Sequence, residues 1–371
     1  AGVSGTFMCP SYLATREEKD VTRGRARILQ EAANSQLVKA IDSPEVLEAL
    51  DLCLACKACS ADCPAGVDMA RYRSEALFRT YRGRLRPLSH YTLGWMPRLT
   101  RVTARVPGLA RVANAVMSVA PLRSLAFRVI GLDPRRGMPA LQSGTFTAWA
   151  RRHSLLADSV PPGDAASSFT ATSGTAARDT AARAAAGSSA ATSAVASSAA
   201  ASSTAATDAR ERGGAPASTD SAREHGDAPA SSTPASSMAT SPILSGPRDP
   251  SGRPYALVWA DSFSQTLDDT GARAVVDVLE ANGFAPIVAP DACCGLTWIT
   301  TGQLTGAKKH LSSLLGVLAP FAASGIPIVG VEPSCTAVLR DDLLDLLPED
   351  PRSLLVSGAT RTLAEVLSAV P

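Results

Sequence analysis

The hydrophobic positions change period along the chain, and the changes divide it. From Pro254 onward, short apolar runs alternate with longer stretches of helical spacing. Tyr255-Ala-Leu-Val-Trp259-Ala reads as a buried strand. Asp268 to Asn282 carries Ala274, Val275, Val278 and Leu279 at helical spacing, with Gly283 as its stop. Pro286-Ile287-Val288-Ala289 is the next strand and completes a βαβ unit. A second unit follows: a helix from Thr305 to Ala323, Gly325, then the strand Ile326–Val331, with further helices expected at Arg340–Leu347 and Thr360–Leu367. This alternation predicts an open, mostly parallel sheet with helices on both faces.

The N-terminal part has helical spacing throughout. Thr15 followed by Glu18 has the capping-box form. Ser43-Pro44-Glu45 reads as an N-cap with proline at the first helical position. That helix should run through Leu47, Leu50 and Leu52 into a loop starting at Cys53, and Val67-Asp68-Met69 should start the next, with Tyr72, Ala76 and Phe78 on its core side. Residues 82–152 predict short amphipathic helices broken at Pro97, Pro107 and Pro121. Asp158 to about Gly252 is Ala, Ser, Thr, Gly and Pro, without the large apolar side chains that would offset ordering entropy, so a disordered linker is expected. The expected organisation is a helical module over 1–81, a basic amphipathic segment over 82–157, the linker over 158–252 and an α/β region over 253–371.

The overall charge of +2 conceals a local imbalance. Between residues 82 and 152 there are thirteen arginines and one acid, Asp133, a local charge of +12. Such a face suits either an anionic membrane surface or an acidic domain of the same polypeptide. Regularly interleaved aromatics for stacking on bases are absent, which argues against nucleic acid. No run is apolar enough to span a bilayer; the charge-free stretch Ala184–Thr207 has the length but is dominated by Ala, Ser and Thr.

Eight cysteines carry the candidate chemistry. In Cys53-Leu-Ala-Cys56-Lys-Ala-Cys59-Ser-Ala-Asp-Cys63-Pro64, three cysteines are two residues apart and a fourth precedes proline. That is the spacing of [4Fe–4S] ligands, because two-residue gaps bring successive thiolates to the concave side of one tight loop. The cysteine before proline serves the other cluster of a pair, which calls for a second Cys-Pro, and Cys9-Pro10 supplies it. We therefore expect Cys9, Cys53, Cys56 and Cys59 to hold one cluster and Cys63 to serve another, completed outside this chain. Zinc, which prefers paired Cys or Cys/His spacings, is the competing metal. Disulfides fit poorly with this spacing in a chain without a signal peptide. Ala1–Cys9 has neither an initiator Met nor a charged leader, so a piece of a longer polypeptide is expected. Arg23, Arg25 and Arg27 could neutralise an electron-rich cluster, cradle an anion, or face solvent.

A second group follows the predicted strands: Asp291-Ala-Cys293-Cys294-Gly295 and Glu332-Pro-Ser334-Cys335. Loops at the carboxyl ends of parallel strands are where such sheets bind ligands. Adjacent cysteines do not readily bridge each other, so Cys293, Cys294 and Cys335, with Glu332, are candidates for a further metal or acceptor site. Cys335 precedes an expected helix, whose N-terminal N–H groups would lower its pKa. His90, His153 and His310 read as ordinary surface or core residues, and no Ser-His-Asp triad, P-loop or dinucleotide fingerprint occurs.

Met8-Cys9-Pro10-Ser11-Tyr12, Thr22-Arg23-Gly24-Arg25-Ala26, the Cys53–Cys59 triplet and Asp62-Cys63-Pro64 together resemble the iron–sulfur part of FAD-linked oxidases of the D-lactate dehydrogenase and glycolate oxidase type. The Cys293-Cys294-Gly295 loop is similar to the cysteine-rich CCG domain shared with heterodisulfide reductase and anaerobic glycerol-3-phosphate dehydrogenase subunits. The resemblance implies an α-helical ferredoxin-like [4Fe–4S] module joined by a long disordered linker to an α/β parallel-sheet cysteine-rich domain. This chain departs from the CCG pattern: Glu332 stands in place of one cysteine, none occurs around Asp261-Ser262-Phe263, and there is one repeat rather than two. By resemblance, a 2-hydroxy acid is oxidised at FAD in a domain this chain lacks. Electrons then pass singly through the clusters to a quinone or soluble acceptor, in the cytoplasm or at the inner face of its membrane. Two other classes stay open: a non-catalytic electron-transfer subunit of a heterodisulfide-reductase-like or anaerobic glycerol-3-phosphate-dehydrogenase-like complex, and a zinc-stabilised docking module.

Overall fold

Five helices build the N-terminal module: α1 (Pro10–Thr15), α2 (Thr22–Asn34), α3 (Pro44–Asp51), α4 (Ala58–Asp62) and α5 (Met69–Thr80). The computed structural model describes residues 9–34, 38, 40–63, 66–130, 133, 135, 139–158 and 246–370. The expected linker lies, over 159–245, outside the described residues. The module's core is small, with Ala32, Val46, Leu50 and Ala76 buried and Ile28, Leu29 and Leu47 packed around them. Helix α3 starts where Ser43-Pro44 predicts, and Asp68 caps α5 by accepting from Ala70 N. Two expectations are corrected. Thr15 closes α1 rather than opening a capping box, its hydroxyl donating to Ser11 O while Arg16 turns left-handed. Tyr72 is exposed, although it stands one turn before the buried Ala76 on the same side of α5. Gly24 is needed where it stands: a Cβ there would collide with the Glu18 carbonyl oxygen, so only glycine lets α2 lie against that turn.

The basic segment forms α6 (Leu88–Gly94), α7 (Met96–Arg105), α8 (Leu109–Ser118), α9 (Ala120–Ile130) and α10 (Phe146–Arg152). Pro97 and Pro121 fall in the first turns of α7 and α9 and Pro107 between α7 and α8, as their missing N–H requires. Among the described residues, no helix is long and apolar enough to cross a membrane.

The C-terminal region is a parallel sheet of β1 (Tyr255–Trp259), β2 (Ala285–Val288), β3 (Ile328–Gly330) and β4 (Thr360–Arg361), in the order β2-β1-β3-β4. Leu156, just after α10, adds a parallel bridge to Val288 at the β2 edge. Both faces are covered, which is why β1 reads as an unbroken apolar run. Leu257 and Trp259 pack with Leu311, Leu314 and Leu318 of the helix Leu304–Ala323. Ala256 and Val258 pack with Val276 and Leu279 of the helix Thr270–Ala281 and with Phe146 and Ala150 of α10. The predicted helix over Thr360–Leu367 is corrected: Thr360 and Arg361 pair with β3, and Leu363–Leu367 starts after a Thr362/Glu365 capping box. The predicted Arg340–Leu347 helix divides into a π-helical turn, Val338–Asp342, and Leu343–Leu346. An unforeseen helix, Pro351–Ala359, is capped by Asp350.

The helical module and the start of the basic segment rest directly on this region. Arg73 donates to Thr300 O at 2.6 Å, and Arg86 donates to Thr301 O and Gly302 O, both at 2.7 Å. Gly302, at φ 66°, has α5 so close that a Cβ would run into Leu77 and the Phe78 backbone.

Candidate iron–sulfur site

The strand order fixes one crevice. With β2 and β3 on opposite sides of β1, the chain leaves β1 and β3 in opposite directions, and their carboxyl ends open a gap. The loops there bring Cys293, Cys294 and Cys335 together, all buried. Cys293 shares hydrogen bonds with Cys294 and Ser262, and Cys294 with Cys335. Asp261 and Ser262 thus border the thiols from the end of β1, where the resembled domain has a cysteine. Glu332 caps the helix Pro333–Ala337, accepting from Cys335 N and Ser334 Oγ, both at 2.6 Å. Burial works against its ionisation, but these bonds hold its carboxyl below the usual range.

The expected activation of Cys335 is corrected. Its bond with Cys294 favours the thiolate, yet burial and the Asp261 and Glu332 carboxylates push the thiol up instead. Cys293 is raised by its bond with Cys294 and by burial. For Cys294, the bond with Cys293 favours the thiolate, but Cys335 and complete burial outweigh it. None of the eight cysteines forms a disulfide, and among the described residues no three His, Cys, Asp or Glu side chains are arranged to hold a single metal ion.

The N-terminal cysteines occupy a different setting. Cys9, Cys53, Cys56, Cys59 and Cys63 line one cavity of about 300 Å³, together with Arg25 and Met69. Ser11 joins the two cysteine segments: its hydroxyl donates to Leu52 O, holding the start of α1 against the end of α3. Arg25, 2 % exposed, donates Nε to Ala49 O at 2.8 Å and Nη1 to Cys9 Sγ at 3.3 Å. Its Nη2 is buried and finds no hydrogen-bond partner among the described residues. Partial burial works against the Cys9 thiolate, but Arg25 and the Ser11 and Tyr12 N–H groups bring the thiol below its ordinary pKa. Burial pushes Cys59 up, with Asp68 adding to it. Arg23 lines the rim of the cavity but is exposed and paired with Glu18, and Arg27 is exposed and away from it, so of the three arginines Arg25 is the buried one that reaches a cysteine. Five thiols and a buried cation with an unused N–H fit an anionic, sulfur-rich cluster.

Lys57 carries no signal of its own within the cysteine motif. It lies between Cys56 and Cys59 and pairs with Asp342 at 2.8 Å, with Asp341, and with Asp68 at 3.5 Å. Burial works to lower the Lys57 pKa, but Asp342 and Asp341 outweigh it and hold the ammonium protonated. Burial raises the Asp342 carboxyl even so, since three acids share one cation. No local signal could have paired residues 284 positions apart.

The stretch that holds these cysteines, residues 6–67, matches the model of the 4Fe-4S dicluster domain. The chain is also similar to D-2-hydroxyglutarate dehydrogenases. It is 33 % identical to that of Pseudomonas putida over 143 residues, covering 30 % of this chain and 14 % of the relative. With the Escherichia coli enzyme it is 34 % identical over 102 residues, 27 % of this chain and 10 % of the relative. With that of Pantoea ananatis it is 40 % identical over 67 residues, 18 % of this chain and 7 % of the relative. The chain thus spans less than a sixth of the length of these curated relatives, and the likeness to this FAD-linked oxidase group is to its iron–sulfur part. No solved structure matches.

Proposed function

We propose that this chain is the electron-transfer part of an FAD-linked dehydrogenase of D-2-hydroxy acids, with D-2-hydroxyglutarate, for which its relatives are named, ahead of D-lactate or glycolate as substrate. The observation that carries the reading is the convergence of Cys9, Cys53, Cys56, Cys59 and Cys63 on one cavity within the dicluster stretch. Cys9, Cys53, Cys56 and Cys59 hold one cluster, and Cys63 serves a second. When bound, such clusters carry single electrons away from a two-electron donor, FAD in a separate domain. The chain's own part is to hold the thiolates, to keep Arg25 against Cys9 and to join the two cysteine segments through Ser11. The crevice thiols, with Glu332, would make a further metal or acceptor site only if the carboxylate gave up its cap. Anaerobic reconstitution with iron and sulfide tests the reading. A brown product with an EPR signal after dithionite is expected, whereas a colourless product with bound zinc overturns it in favour of a zinc-stabilised module.

The acceptor side is proposed on the outer face of α7 to α9. Leu99 and Val102, Val112 and Val116, and Leu125 and Val129 are exposed at helical spacing, with Arg105, Arg111 and Arg128 exposed among them. No Asp or Glu occurs between Glu75 and Asp133. Aliphatic stripes ringed by arginine suit an anionic bilayer, where a quinone acceptor dissolves. Salt-sensitive co-sedimentation with anionic vesicles, and none with neutral ones, is expected. Binding to neither returns this face to an acidic domain of the same polypeptide.

A further inference from the structure

The loop that carries three of the cavity cysteines is held in an unfavourable shape by residues outside its own module. Ala55 and Lys57 both adopt left-handed backbone, at φ 53° and 60°, where side chains are resisted. Such conformations persist only where the surroundings over-determine them, and they collect at functional sites. Part of the determination is local: the Lys57 carbonyl accepts from Ser60 N at 3.0 Å and from Ser60 Oγ at 2.7 Å, which starts α4. The rest comes from across the chain. The Lys57 side chain is 19 % exposed and runs to the α/β region, where Asp341 and Asp342 receive its ammonium. Asp342 and Asp68, the third acid, are 7 % and 4 % exposed.

Both distant acids belong to the π-helical turn Val338–Asp342. A π-turn adds a residue to a helix and re-aims its side chains, and such turns recur at functional sites. Here the turn follows directly on the short helix that contains Cys335. Arg71 and Asp345, paired at 2.7 Å, add a second ion pair between the same two regions.

We infer that Lys57 is a positioning residue for the cluster cavity, and that Asp341 and Asp342 make the shape of the cysteine loop depend on the docked α/β region. This rests on the reading of the cavity as a cluster site. The α/β region therefore contributes to cluster binding without supplying a ligand to it. Any movement that separates the two regions loosens the Cys53–Cys59 loop.

The test uses the whole chain after anaerobic reconstitution, comparing wild type with Lys57→Met, Lys57→Arg and the near-isosteric double variant Asp341→Asn/Asp342→Asn. Bleaching by an iron chelator and the EPR line shape of the reduced cluster are read alongside circular dichroism. Lys57→Met and the double variant should bleach several-fold faster and broaden the EPR signal, with folding retained, while Lys57→Arg restores both readouts. Should Lys57→Met fail to fold, the double variant alone decides. Wild-type rates and line shapes in folded variants overturn the role of Lys57 and leave the cluster reading intact. A wild-type chain that binds no cluster overturns both.

Discussion

The two groups of cysteines are made of the same side chain and stand in opposite environments. Cys9, Cys53, Cys56, Cys59 and Cys63 line an open cavity on short helices over a small core, with a buried arginine at one edge. Cys293, Cys294 and Cys335 lie inside the largest core among the described residues, touching one another and facing carboxylates. Burial and negative neighbours keep a thiol protonated, whereas exposure, a guanidinium and backbone N–H groups ease its ionisation. Metal ligation needs thiolate: Arg25 eases that ionisation at Cys9, whereas burial resists it at Cys59 and at the three crevice cysteines, so the proposed ligand role has its strongest support at Cys9.

The largest difference should appear in cluster binding. Cys9→Ser should abolish most iron and visible absorbance after reconstitution, and Cys335→Ser should retain both. If Cys9→Ser kept an intact chromophore, the cross-ligation of the two segments would be wrong. Thiol accessibility sharpens the contrast: in the metal-free chain, an aromatic disulfide reagent should label the five cavity cysteines quickly. The three crevice cysteines should react only as denaturant opens the core. Fast labelling of all eight would erase the distinction.

A third measurement reads the core that buries the second group. Leu314, fully buried against the sheet, should cost about 2–5 kcal/mol when replaced by alanine. Denaturant unfolding checks this. The smallest effect concerns His310, packed at a tilt of 38° against Trp298 with ring centres 4.1 Å apart. Burial, then Arg98 and Arg101, lower its pKa from 6.5 to about 4. The unfolded chain therefore takes up the proton first, so the stability due to neutral His310 is complete above pH 6.5 and is lost as pH falls toward about 4. His310→Gln should flatten the stability profile in that window relative to wild type. Because the ring is half-exposed, the difference should be modest.

The ligand spacing, the α/β alternation and the proline breaks in the basic segment were legible in the sequence. Each rests on neighbours within a few residues, where backbone geometry and hydrophobic period act directly. The readings that failed were also local, and lost to partners elsewhere. Thr360 and Arg361 have helical neighbours but pair with β3. Cys335 stands in the first turn of a helix, yet burial beside Asp261 decides its protonation.

By itself, then, the order of residues determined which cysteines could share a metal, because a tight loop sets the reach of its thiols. Only the tertiary structure decided that Arg25 meets Cys9, that Cys293 and Cys294 lie against Cys335, and that Lys57 is held by Asp341 and Asp342. Those meetings depend on strand order and on one region docking upon another. Charge and burial act through space, and no spacing along the chain records which distant groups the fold will bring within a few ångströms.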